Sequence, residues 1–199
     1  MDTDFVTLFL ALLALVSQLT VLVVVGLFIA GRVFSSRVSS SRLFASVVNL
    51  DVSVREALGP QAVQLAVIVA IVATSGSLYL SEVAHFIPCR LCWYQRFAMY
   101  PLVPILILLA WRKSPTLGRF VVVIPLVGAS ISAYHMVIER FPSLESSTCD
   151  PTNPCSLIWV ERFGYLTIPT MALSGFLLIA TLLFVSNSFE QRKAIDTRD

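Results

Sequence analysis

Four cysteines are the residues of this chain best suited to chemistry, and they fall in two close pairs. Cys89 and Cys92 form a C-x-x-C directly after Pro88, while Cys149 and Cys155 bracket a short polar, proline-containing stretch. Paired thiols exchange disulfides, and the attacking species is the thiolate. Two thiol pairs are also a possible zinc-ligand set, so the pairs alone leave both chemistries open. The residues after Cys92 favour redox chemistry. A helix that starts after Pro88 would put Cys92 at its N-terminus, where free N–H groups and the macrodipole favour an anionic sulfur. Arg96 lies four residues further on, one turn away on the same face. Its guanidinium would add to that preference and present donors to a carbonyl oxygen of a bound ligand. A four-thiolate zinc site gives no reason for an arginine there.

The elements that must hold these residues are membrane spans. Hydrophobic residues make up 57% of the 199 and charged residues 13%, about half the usual charged share of a soluble domain, roughly 25%. The mean hydropathy is +0.84. A spanning helix needs roughly 20 mostly apolar residues, and five stretches reach or approach that: about 5–31, 61–80, 91–111, 118–138 and 167–186. None alternates with period two, which argues against a β-barrel. A net charge of +2 without a basic stripe argues against nucleic acid as a partner. The expected fold class is therefore an all-α integral membrane protein.

Charge sets the expected orientation. One set of connections holds Arg32, Arg37, Arg42, Arg55, Arg112, Lys113, Arg119, Arg192, Lys193 and Arg198. The opposite set holds only Arg90, Arg96, Arg140 and Arg162. The N-terminus and the loops at 81–90 and 139–166 are therefore expected outside, with the C-terminus inside. Both cysteine pairs then share the outer side, where an oxidising compartment lets disulfides persist. The first apolar run follows an acidic Met1-Asp2-Thr3-Asp4 and is too long for a signal-peptide core, so it reads as a retained anchor. In the inside segment 35–60, Leu43, Phe44, Val47, Val48 and Leu50 suit either a short interfacial helix or a partly ordered linker. Pro101, Pro104 and Pro125 lie within spans and are expected to kink them.

The run Pro88-Cys89-Arg90-Leu91-Cys92-Trp93-Tyr94-Gln95-Arg96 resembles the first outer loop and second core helix of the DsbB/BdbC family. Tyr134-His135, Cys155, Trp159, Phe163-Gly164 and the stretch from Leu166 to Phe176 strengthen the resemblance, which covers about 61–186. It implies a four-helix transmembrane bundle, here with one extra N-terminal transmembrane helix. The implied organisation is an anchor and cytoplasmic segment over 1–60, a core over 61–186 and a cytoplasmic tail over 187–199. The implied activity is a protein-disulfide:quinone oxidoreductase of the bacterial inner membrane. Its partner would be a DsbA-like periplasmic thiol oxidase and its cofactor a quinone, ubiquinone or menaquinone. That DsbA–DsbB–quinone route is the known example of a compartment held oxidising kinetically. Carried over residue by residue, Cys149 meets the partner's thiolate, Cys155 exchanges with Cys89, and Cys92 faces the quinone beside Arg96. The five residues between Cys149 and Cys155 match the shorter spacing of the BdbC-like branch.

Several further residues carry two readings each. His135 would position the quinone or move a proton, with Glu139 one turn on as its partner, or it is simply a satisfied interhelical histidine. Trp93, Tyr94 and Trp159 belong to an aromatic belt or flank the quinone ring. Leu157, Ile158, Trp159, Val160 and Phe163 suit a short apolar helix on the outer surface. Thr167 is placed to cap the last helix. A relay run backwards, as in the vitamin K epoxide reductase group, is the other enzymatic reading. That group carries its C-x-x-C late in the chain, and this one is early.

Overall fold

The computed structural model describes residues 3–35, 42–112, 115–145, 149–150 and 152–196. Its helices are α1 (Thr3–Ser35), α2 (Arg42–Leu58), α3 (Ala62–Glu82), α4 (Arg90–Met99), α5 (Leu102–Arg112), α6 (Pro115–Val121), α7 (Val123–Arg140) and α8 (Ile168–Asp196). A 3₁₀ turn, Gly59–Gln61, joins α2 to α3. Five helical segments are long and apolar enough to cross a membrane: Thr3–Gly31, Asn49–Glu82, Arg90–Arg112, Leu117–Arg140 and Ile168–Asp196. Large apolar side chains such as Phe5, Leu22, Phe97, Trp111 and Phe120 lie exposed around the bundle. A water-facing surface would not leave so much apolar area uncovered; a lipid-facing one does.

The prolines break two spans where backbone arithmetic says they must. Pro104 has no N–H for the Tyr100 carbonyl, and the Val103 N–H takes it at 3.3 Å, so the third span divides into α4 and α5. Pro125 likewise leaves the Val121 carbonyl without its usual donor, and the fourth span is interrupted at Val122 between α6 and α7.

The core lies where α3, α5, α7 and α8 meet, around Leu102, Leu106, Phe176, Ile179 and Leu183. Phe176 is fully buried against the backbone of Gly128. A Cβ at Gly128 would come within 2.4 Å of its ring, so α7 and α8 approach closely there only because this position has no side chain.

The N-terminal helix is fastened to this core by polar contacts. The Arg162 guanidinium bonds Asp4 and, at 2.8 Å, the Thr7 hydroxyl. The Gln18 amide donates to Ser174 Oγ at 2.9 Å and accepts from the Tyr165 hydroxyl at 2.9 Å. Below them Arg55 is buried, paired with Asp51 at 3.0 Å and lying 4.9 Å above the Phe28 ring. Segment 42–58 is thus helical and leads straight into α3. Of the apolar face expected there, the side chains of Leu43, Phe44, Val47 and Val48 lie outside the described residues, and Leu50 is exposed.

The apolar helix expected around 157–163 is not formed. In its place Glu161–Arg162 pairs antiparallel with Leu166–Thr167. The reason is the turn between them, where Phe163 and Gly164 both have positive φ, 54° and 73°. That geometry reverses a chain and suits a hairpin. Thr167 precedes α8 as expected, but its hydroxyl donates to Glu139 Oε2 at 2.6 Å.

Candidate functional site

Chain geometry after Pro88 decides which sulfur sits at the helix end. Cys89 is extended and stands as N-cap of α4, and its sulfur accepts the Cys92 backbone N–H at 3.3 Å. An N-cap side chain bonds the N–H three positions on, so the C-x-x-C spacing itself closes this contact. The expectation that Cys92 receives the helix-end stabilisation is corrected: Cys89 receives it, and Cys92 lies within the first turn. The two sulfurs are 2.9 Å apart as free thiols.

Cys89 is buried, yet its thiol is held below its usual range. The largest cause is the hydrogen bond from the Cys92 side chain; those from His135 and the Cys92 N–H add to it, and burial opposes them.

His135, on α7 and 2% exposed, joins the two pairs. Its Nε2 lies 3.0 Å from the Cys155 carbonyl oxygen and 3.7 Å from the Cys89 sulfur. A carbonyl can only accept, so Nε2 carries the proton and Nδ1 takes the Gln95 amide at 3.3 Å. Glu139, the partner expected for His135, is bonded instead to Thr167.

The second pair is a disulfide, Cys149–Cys155. The pair packs in one apolar cluster with Cys89, Leu91 and Ile138. The Glu145 carboxylate holds this loop in place by accepting from the Cys155 N–H and from the Ser156 hydroxyl. Near it, the exposed Asp150 carboxyl is held below its usual range by the Thr152 N–H and hydroxyl.

On its other side Cys92 borders a cavity of about 320 Å³ that reaches into the span. Its walls are mainly apolar, with Ser17, Ser77, Ser81, Gln95, Arg96 and Tyr100 as the polar side chains among them. Arg96 is oriented by Ser77, donating from Nε to its hydroxyl at 3.1 Å and from Nη2 to its carbonyl at 3.0 Å, and the guanidinium lies 5.3 Å above the Trp93 ring. Trp159 stacks on Phe86 at 5.2 Å, and both line the cavity. Of the residues expected to hold a ligand, Arg96 lines this space. Trp93 supports Arg96 from outside, Tyr94 is exposed on the bundle surface, and His135 sits with the sulfurs in a smaller pocket of about 20 Å³.

Gln95, Ser77 and Glu145 were not legible as site residues. Gln95 had a signal, since it lies on the same helical face as Leu91 and is buried inside an apolar span. Ser77 and Glu145 are recruited by tertiary contacts.

Cys89 thus packs in one cluster with the Cys149–Cys155 disulfide, and Cys92, at the edge of that cluster, also borders an apolar chamber. Residues 60–186 match the family model described as disulfide bond formation protein DsbB. Among curated proteins, the chain is 42% identical over 113 residues to disulfide bond formation protein C of Bacillus subtilis (strain 168), covering 56% of this chain and 82% of that protein. It is 36% identical over 125 residues to probable disulfide formation protein C 2 of Bacillus cereus (strain ATCC 10987 / NRS 248), covering 61% and 90%. It is 40% identical over 116 residues to probable disulfide formation protein C 1 of Bacillus anthracis, covering 57% and 83%. No solved structure matches.

Proposed function

The chain belongs to the disulfide bond formation protein DsbB family, an all-helical membrane family of thiol oxidoreductases, and from that premise we propose that it reoxidises a DsbA-like thiol oxidase and delivers the electrons to a membrane quinone. The observation that carries this reading is the two-sided C-x-x-C: Cys89 beside the Cys155 carbonyl through His135, and Cys92 on the cavity with Arg96.

The steps balance as thiol–disulfide exchanges. A thiolate of the reduced partner attacks Cys149, breaking the Cys149–Cys155 bond and forming a mixed disulfide. The partner's second thiol resolves that bond and leaves oxidised. The Cys149 and Cys155 thiols then reduce a Cys89–Cys92 disulfide through an intermediate bond between Cys155 and Cys89. The net result is two electrons on the Cys89–Cys92 pair with the Cys149–Cys155 disulfide restored. Stabilisation of the Cys89 thiolate favours this direction, because a stabilised reduced form makes its disulfide the stronger oxidant.

The cavity fits a quinone. Ligand sites are mostly apolar with a few placed polar groups, and this one has apolar walls at span depth and a fixed guanidinium beside the reactive sulfur. A quinone bound there supplies a two-electron, two-proton acceptor. Arg96 would hold a ring oxygen and favour negative charge on it, with Ser77 holding Arg96. Trp159 and Phe86 would close the outer lip against water. His135 and Gln95 keep the Cys89 side ordered. The charge asymmetry of the loops supports placing both cysteine pairs and the N-terminus outside a bacterial inner membrane, with the C-terminus inside.

Steady-state quinone reduction tests the reading. Purified protein in detergent should reduce a short-tailed ubiquinone when given a reduced thioredoxin-fold oxidase, and each single Cys→Ala variant should not. Turnover that survives Cys92→Ala would overturn the assignment.

A further inference from the structure

The cavity beside Cys92 is not enclosed by the family core alone. The matched region begins at residue 60, whereas Leu10, Leu13, Ala14 and Ser17 of α1 line the cavity. Their spacing of three, four and seven residues puts them on one face of that helix. The opposite face, with Leu12, Leu19 and Leu22, is exposed. We infer that α1 is a built-in wall of the acceptor pocket and sets which quinone ring the enzyme accepts. This rests on the quinone reading above and adds a role for a segment outside the family match.

Three observations carry it. First, α1 is held in place across the cleft. Arg162 ties its start to the hairpin, Gln18 ties it to Ser174 and Tyr165, and Leu10 packs where a Cβ on Gly76 of α3 would come within 2.9 Å. Polar contacts between helices in a bilayer add to such docking. Secondly, the wall is apolar. Its one hydroxyl, Ser17 Oγ, is turned back onto the Leu13 carbonyl at 2.8 Å. The wall therefore selects by bulk, while Arg96 across the cavity recognises the ring oxygen. Thirdly, the wall shares its space with the reactive thiol. Cys92, Gln95 and Arg96 of α4 border the same cavity, and Leu10 packs on Gly76, next to the Ser77 that holds Arg96.

Shape selection by an apolar pocket is modest, on the order of tenfold to two-hundredfold for a group the size of a methylene, and that bounds the expected effect. The test uses the full chain in detergent with a short-tailed ubiquinone and a short-tailed naphthoquinone. Binding is read by titration calorimetry, kcat and KM are read separately, and disulfide exchange with the reduced partner is a readout that does not involve quinone. Leu13→Trp, which fills the space, should weaken binding and raise KM for both quinones about tenfold or more, with partner exchange unchanged. Leu13→Ala, which enlarges it, should shift the ratio of naphthoquinone to ubiquinone affinity about tenfold toward the fused ring. Leu12→Trp, on the exposed face, should change neither. If both Leu13 variants bind the two quinones as the wild type does while Arg96→Gln binds them weakly, the wall is overturned and the quinone site stands. If the wild type binds neither quinone, both fall.

Discussion

Titration of the Cys89–Cys92 pair gives the sharpest prediction from the N-cap geometry. The Cys89 thiol is held below its usual range, chiefly by the Cys92 side chain 2.9 Å away. Reducing the pair where Cys89 stays ionised therefore takes up two electrons and one proton. For a two-electron couple a tenfold change in equilibrium is about 30 mV, so the midpoint potential should fall by about 30 mV per pH unit from pH 6 to pH 8. Two protons would double that slope. Removing His135 should move the titration. A hydrogen bond to a charged group is worth about 1.5–3 kcal/mol, and 1.36 kcal/mol corresponds to one pH unit. The His135 proton is shared with the Cys155 carbonyl and lies 3.7 Å from the sulfur, so the low end applies. His135→Ala should raise the Cys89 midpoint by about one pH unit. A chain carrying Cys149→Ala and Cys155→Ala isolates the pair. Potentials come from alkylation trapping after equilibration in thiol buffers, and the ionisation from thiolate absorbance. A slope near 60 mV per pH unit across pH 6–8, or a midpoint indifferent to His135→Ala, would refute the reasoning.

Other expectations follow from the same geometry. A thioredoxin-fold partner whose second cysteine is replaced by Ala should accumulate a mixed disulfide with Cys149 of the intact chain, seen as a gel shift lost on reduction; a bond through Cys89 would contradict the order of exchange. Arg96→Gln should leave partner exchange intact and lower quinone kcat/KM by about 10²–10³, with Arg96→Lys recovering only part because the ammonium lacks the planar fork; a quinone titration measures both. Gly128→Ala forces a methyl within 2.4 Å of the Phe176 ring and should destabilise the bundle by about 1–3 kcal/mol, read as a lower thermal midpoint in detergent.

The spans were legible because hydropathy over twenty residues is a strong, additive signal, and the five helices lie on the five apolar stretches. Cysteine grouping was legible for the same local reason. The helix start near Cys89 was harder. Which sulfur takes the helix end depends on the single residue that caps it, and that residue is Cys89. The hairpin at 161–167 was hidden because apolar content outweighed the turn at Phe163-Gly164. Tertiary pairings stayed illegible. Thr167 with Glu139, Ser77 with Arg96 and Gln18 with Ser174 join residues 19 to 156 positions apart, and no local pattern encodes them. The wall that α1 gives to the cavity belongs to this class, since sequence identified an anchor but not what it faces.

The central claim is that electrons leave the protein from Cys89 and Cys92 to a quinone. A single-turnover measurement addresses it without any partner. The chain with Cys149→Ala and Cys155→Ala is reduced, freed of reductant and mixed with excess short-tailed ubiquinone, while quinone absorbance and remaining thiols are followed together. The account predicts that one quinone is consumed per chain as both thiols disappear into a Cys89–Cys92 disulfide. Thiols that persist while the quinone remains oxidised would contradict it.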